Sequence, residues 1–137
     1  MLQRTLLDLI DLSLVGKQSY WTVIGARSTA LRHVLDDIVV TARRHADAVA
    51  ERSAALGIPP DGRAAAVAAR SDIPQWAPGW ERDDDVIDHL AEAYRRLTSA
   101  MRERIAGAHV DPVTHNLLVA VTADLEQQYR TIQAQQK

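Results

Sequence analysis

The sequence predicts an all-α domain: a four-helix bundle with a short helix in the long connection between its second and third helices. Three observations carry this. Apolar residues recur at three-and-four spacing in four long stretches separated by Gly, Pro and Asp, which is the period of one helix face. Ala, Leu and Val dominate the apolar share, charged residues make up 25% and aromatics only 4%, the composition of packed amphipathic helices. Strand signals, an alternation of apolar and polar residues with period two, are absent.

The first helix is expected from about Leu2 to Ile24. Leu2, Leu6, Leu9, Ile10, Leu14, Tyr20, Trp21 and Ile24 form its apolar stripe, and Gly25 stops it. Gly16 lies inside the pattern at a cost of about 1 kcal/mol against Ala, which points to close packing there. Ser28 or Thr29 is placed to cap the second helix. That helix runs to about Leu56, where Gly57 supplies a left-handed residue and Pro59-Pro60 blocks resumption. It would be about 40 Å long. From Gly57 to Asp85 the chain is punctuated by Pro59, Pro60, Gly62, Pro74, Pro78 and Gly79. Within it Arg63 to Arg70 reads as a short Ala-rich helix, and Trp76 and Trp80 are expected to pin the connection onto a helix pair. The third helix starts at Asp83-Asp84-Asp85, whose carboxylates suit the positive end of the helix dipole, and ends at Gly107. Asp111 as cap and Pro112 in the first turn open the fourth, which runs to a polar tail, Gln133 to Lys137.

Composition narrows the chemistry. The 137 residues fit one domain, residues 1–137. With no cysteine there is no disulfide framework, thiolate metal site or cysteine nucleophile. A net charge of -2 and no Phe argue against a uniformly basic nucleic-acid binder and a base-stacking surface. The apolar stretches fall short of a membrane span, and Met1 to Arg4 lacks the layout of a secretory signal, so a cytosolic protein is expected. Neither a phosphate-binding Gly-rich loop nor a nucleophile elbow is found, so no catalytic residue is assigned.

The second helix holds the most informative pattern. Arg32, Asp36, Arg43, Asp47 and Glu51 are spaced by four, seven, four and four residues, so they share one face. Two readings stand. Carboxylates on one face suit a hard cation such as iron, with a facing copy in a twofold dimer bringing Asp36 of one chain near Asp47 and Glu51 of the other. Alternatively, Arg32–Asp36 and Arg43–Asp47 are ordinary four-residue ion pairs on a wet surface. The five histidines form no His-x-x-x-His, His-Glu-x-x-His or Glu-x-x-His pair.

Tyr20-Trp21-Thr22-Val23-Ile24-Gly25, then Leu31 and Leu35-Asp36-Asp37, then His45-Ala46-Asp47-Ala48-Val49-Ala50-Glu51-Arg52 to Leu56-Gly57, resemble the Dps family, the ferritin-like miniferritins also called DNA-binding proteins from starved cells. The resemblance covers nearly the whole chain, and the short Arg63–Arg70 helix falls where such proteins carry a helix at a twofold interface. It implies a ferritin-like four-helix subunit, a hollow homo-dodecamer, and a ferroxidase activity that oxidises Fe(II) with peroxide and stores ferric mineral. It also implies an iron centre between two subunits, with Asp36 from one chain and Asp47 and Glu51 from the other as metal ligands and Trp21 beside them.

Here the sequence departs from the family pattern. Tyr20 stands where the His before Trp belongs, and Arg32 where the His of Leu-His belongs. Both imidazole ligands are replaced, and Arg32 puts a fixed positive charge where a cation should sit. Pairing of Arg32 with Asp47 or Glu51 across the interface is expected to replace metal, with a shifted His33–Asp36 site as the alternative. The family's DNA binding uses Lys/Arg-rich tails. Here the first helix starts almost at once and Gln133–Lys137 holds a single Lys, so DNA is not the favoured partner, although Arg43, Arg44, Arg95, Arg96, Arg102 and Arg104 offer candidate patches. The resulting expectation is a stress-protective iron cage with an altered centre. The rival is an inactive shell or co-assembling subunit associated with the nucleoid.

Overall fold

A computed structural model of the chain describes residues 1–136. In order along the chain, the elements are α1 (Leu2–Thr22), β1 (Val23–Ile24), α2 (Ser28–Ala55), α3 (Ala64–Arg70), β2 (Glu81–Arg82), α4 (Asp83–Gly107) and α5 (Pro112–Gln135). The four long helices and the short α3 match the sequence expectation. Helices α1 and α2 form one antiparallel hairpin and α4 and α5 the other, and the connection carrying α3 joins them.

The core lies between the hairpins. Leu9, Leu12, Leu35, Val49, Leu90, Tyr94, Met101, Val121 and Leu125 are fully buried in it, and each large aliphatic side chain so removed from water contributes roughly 1.5–3 kcal/mol. Burial raises the Tyr94 phenol well above its usual range, and its hydroxyl donates to Gln128 Oε1 at 2.8 Å.

Four details differ from the sequence reading. Val23 and Ile24 do not continue α1; they pair in parallel with Glu81 and Arg82, so the connection's end is stitched to the end of α1. Gly25 follows with φ +120°, and a Cβ there would lie 2.5 Å from Asp83 Oδ2. That carboxylate accepts the Arg27 N–H at 2.8 Å and the Asp84 N–H, which holds its pKa below the usual range. The start of α2 is therefore served by a remote aspartate, and neither Ser28 nor Thr29 caps it. Trp76 packs against the core and stacks on His89 at 4.9 Å between ring centroids, but Trp80 is 77% exposed and pins nothing. Helix α5 continues through Gln135, and Lys137, the one Lys of the expected tail, lies outside the described residues.

The connection runs along α1. Gln3 and Asp61 exchange two hydrogen bonds of 2.7 and 3.0 Å, and Ala66 and Val67 pack on Leu7 and Ile10. Asp8 accepts the Asp72 N–H at 2.8 Å, and Asp11 accepts from Gln75 Nε2 at 2.8 Å. Asp8 is 1% exposed and pairs with Arg104 of α4 at 2.6 Å, so one buried carboxylate joins α1, α4 and the connection.

Candidate functional site

The charged strip of α2 lies along its crossing with α1. At Gly16 the helices pack closely enough that a Cβ would come 3.3 Å from Val39 Cγ2. This is the packing reason for a glycine mid-helix. On one side of that point Arg43 Nη1 donates to Ser13 Oγ at 3.3 Å. On the other, Arg32 reaches the end of α1, donating Nε to the Tyr20 carbonyl at 3.3 Å and Nη2 to the Val23 carbonyl at 3.2 Å. A helix C-terminus presents unpaired carbonyls and partial negative charge, which a guanidinium satisfies on both counts. Arg32 is thus a built-in cap for α1.

The expected four-residue ion pairs are not made. Among the described residues neither Arg32 nor Arg43 pairs with a carboxylate, because both side chains reach across to α1 instead. Asp36, Asp47 and Glu51 are exposed, as is His33. Asp36 and Asp47 stand about 16 Å apart along the helix axis. One chain cannot close them around an ion, and among the described residues no three His, Asp or Glu side chains gather to hold a metal. Tyr20 is half-buried and Trp21 is 61% exposed.

Lys17 is the site residue that the sequence reading missed. Its ammonium lies 4.1 Å from the Tyr20 ring centroid and 5.9 Å from that of Trp21, within cation–π range. The spacing of Lys17 three and four residues before two aromatics on one helix was the available signal. Beside this strip opens a cavity of about 260 Å³ lined by Leu6, Ile10, Ser13, Arg43, Ala46 and Asp47, among others.

Elsewhere several arginines are neutralised within the chain. Arg95 and Arg96 both bind Glu92 at 2.7 and 2.9 Å, Arg102 binds Glu126 at 2.6 Å, and Arg104 binds Asp8. Arg44 lies 3.5 Å from Asp124, which also meets buried His45 at 2.8 Å. Asp111 caps α5 through the Thr114 N–H and binds Arg52 at 2.8 Å. The backbone N–H and hydroxyl of Thr114, then Arg52, hold its pKa at about 2. On the connection, Glu81 pairs with His89, and burial pushes its carboxyl upward.

Two antiparallel helix hairpins joined by a helix-bearing crossover, with an Asp-and-Glu strip along the second helix, define a ferritin-like subunit. The family model described as Ferritin-like domain matches residues 1–137. The DNA protection during starvation protein 2 of Deinococcus radiodurans is 35% identical over 91% of this chain and 52% of that protein. The fine tangled pili major subunit of Haemophilus ducreyi is 32% identical over 91% of this chain and 67% of its own length. The crystal structure of Dps92 from Deinococcus radiodurans superposes with a TM-score of 0.94 at 34% identity, over 97% of this chain and 81% of that one. The chain belongs to the Dps family of ferritin-like proteins. It spans about half the length of the first of these relatives.

Proposed function

We propose that this chain is a subunit of a Dps-like cage that sequesters iron and protects against oxidative and starvation stress, and that its iron-oxidation centre is altered. The assembly is a homo-oligomer, a dodecamer on the family pattern, in the cytoplasm. No helix among the described residues is long and apolar enough to cross a membrane. In this reading Asp36 of one subunit faces Asp47 and Glu51 of another, and iron is the substrate.

The observation that carries the altered centre is the position of Arg32. Its guanidinium is committed to the carbonyls of Tyr20 and Val23, on the α2 turn where the family pattern has an imidazole. A fixed cation there repels Fe(II) by several kcal/mol at contact range, taking an effective dielectric of about 20. Nη1 of Arg32, engaged by no described residue, is left for the partner's Asp47 or Glu51. The remaining oxygen ligands favour hard cations but bind without the neutral nitrogen donors that hold ferrous iron against water. His33 is exposed on the neighbouring turn position and is the one imidazole available to a shifted site.

Two assays test this. Peroxide-driven Fe(II) oxidation by the purified assembly is expected to be slow, with no saturable phase from a dedicated centre, and rapid saturable turnover contradicts the reading. Iron retained per subunit after aerobic loading then separates a storing cage from the second reading, an inactive or co-assembling shell, which retains none. The carboxylate-only donor set is what favours that second reading. DNA coating is not proposed, because the arginines of α4 that would form a patch are neutralised by Glu92, Glu126 and Asp8. Gel shift of linear DNA at low salt is expected to show no retarded band.

A further inference from the structure

We propose that the cavity between α1 and the connection binds a small primary alkylammonium ion, its charge on the Asp11 carboxylate and its chain against Trp21 and Trp76. The site is separate from the strip of α2, since none of Asp36, Asp47 and Glu51 lines this cavity.

Two buried aspartates on one face of α1 differ in how their charge is met. Asp8, 1% exposed, has the Arg104 guanidinium at 2.6 Å. Asp11, about one turn further on and 7% exposed, accepts instead from the Gln75 amide at 2.8 Å. Burial pushes its carboxyl upward, and the like charge of Asp8 adds to this. The Ser71 hydroxyl and the Gln75 amide offset it only in part. A buried carboxylate held by neutral groups alone keeps a large unmet demand for a counter-charge.

The space beside Asp11 is built to receive one. A cavity of about 330 Å³ opens there, walled by Trp21, Trp76, Leu14, Val15 and Gln18 among others, and no cationic side chain lines it. Trp76 is fixed from behind by stacking on His89, with ring centroids 4.9 Å apart and planes 15° from parallel. That wall therefore stands before a ligand arrives, which lowers the cost of binding. Trp21 is 61% and Leu14 50% exposed, leaving apolar surface for an alkyl chain to cover.

These groups select the class of ligand. A hard metal ion needs several oxygen ligands, and the cavity offers a single carboxylate. An anion is repelled by that carboxylate. Indole faces attract cations through the ring quadrupole and take up alkyl groups by burial. A primary ammonium also donates N–H to the carboxylate, a charge-assisted bond that a quaternary ammonium lacks the hydrogen to make.

The test is calorimetric titration of the full chain with butylammonium chloride at constant ionic strength, and with 1-butanol as the neutral analogue. Wild type is compared with Asp11→Asn and with Gln18→Lys, which places a tethered ammonium at an exposed position of the cavity wall. Circular dichroism is the folding control. Saturable binding of butylammonium is expected with a Kd of about 1 mM, and binding about tenfold weaker for 1-butanol and for each variant. No saturable binding by the wild type up to about 10 mM, equal affinity for 1-butanol, or wild-type affinity in folded Asp11→Asn overturns the inference. Should Asp11→Asn lose its helical signal, Gln18→Lys decides, and wild-type affinity there overturns it. Each of these failures leaves the altered iron centre untouched, because that reading is measured by iron oxidation and retention.

Discussion

Gly25 and Asp83 show how a single backbone angle positions one end of the charged strip. With φ +120° and Asp83 Oδ2 2.5 Å from the place of a Cβ, Gly25→Ala is expected to cost about 2–3 kcal/mol in urea unfolding, from strain and from displacing the carboxylate that serves Arg27. Asp111 gives a pH prediction. Its folded pKa of about 2 lies below the unfolded 3.8, so its contribution is present above pH 3.8 and is lost as pH falls toward 2. Asp111→Asn should therefore shrink the stability difference between neutral and acidic buffer in urea titrations, and an unchanged difference contradicts the assignment. The Asp111 cap and the packing role of Gly16 were legible from residue type and position. Asp83 serving Arg27 was not, because the two are far apart in sequence and only the returning connection brings them together. Arg32 was legible as a cation on the strip, but its carbonyl partners were hidden by the same limitation.

The connection between α2 and α4 is the element whose form follows least from local pattern. Its short helix was readable from the Ala-rich run between two arginines, and its start, at the end of α2, from Gly57 at φ +83°. The attachments were not, since Gln3, Asp8 and Asp11 sit on α1 and look like ordinary polar positions there. The paired dipeptides β1 and β2 are too short to carry an alternation. Asp8 is the decisive anchor, buried against Arg104 and the Asp72 N–H. Asp8→Asn leaves the Arg104 guanidinium, 11% exposed, with only the more distant Asp72 carboxylate at 3.7 Å, and is expected to cost about 2–3 kcal/mol. The loss should show as faster limited proteolysis within residues 57–80 at temperatures where α2 and α5 remain helical. Cleavage at wild-type rate would mean that the α3 contacts alone hold the connection.

For the whole molecule, the hairpin pair and its crossover were readable from periodicity, and the family from the Trp21-to-Glu51 spacing. What no single chain displays is the partner that the proposed function sets against the strip of α2. Asp36, Asp47 and Glu51 are too far apart for one subunit to chelate an ion, and the cations beside them are unmatched at home. Restoring the family pattern by Tyr20→His with Arg32→His is expected to raise Fe(II) affinity and to remove the cap from α1. The gain in iron chemistry should therefore come with lower stability, read by iron binding and thermal unfolding on the same sample. The central claim, proposed above, is that the Arg32 guanidinium stands in the place of iron at this centre. Anomalous scattering at the iron edge from crystals of the assembly soaked in Fe(II) tests it most directly. The account predicts no ordered peak between Asp36 of one subunit and Asp47 and Glu51 of the next, with the Arg32 side chain there instead. A full-occupancy iron peak on those three carboxylates would contradict it.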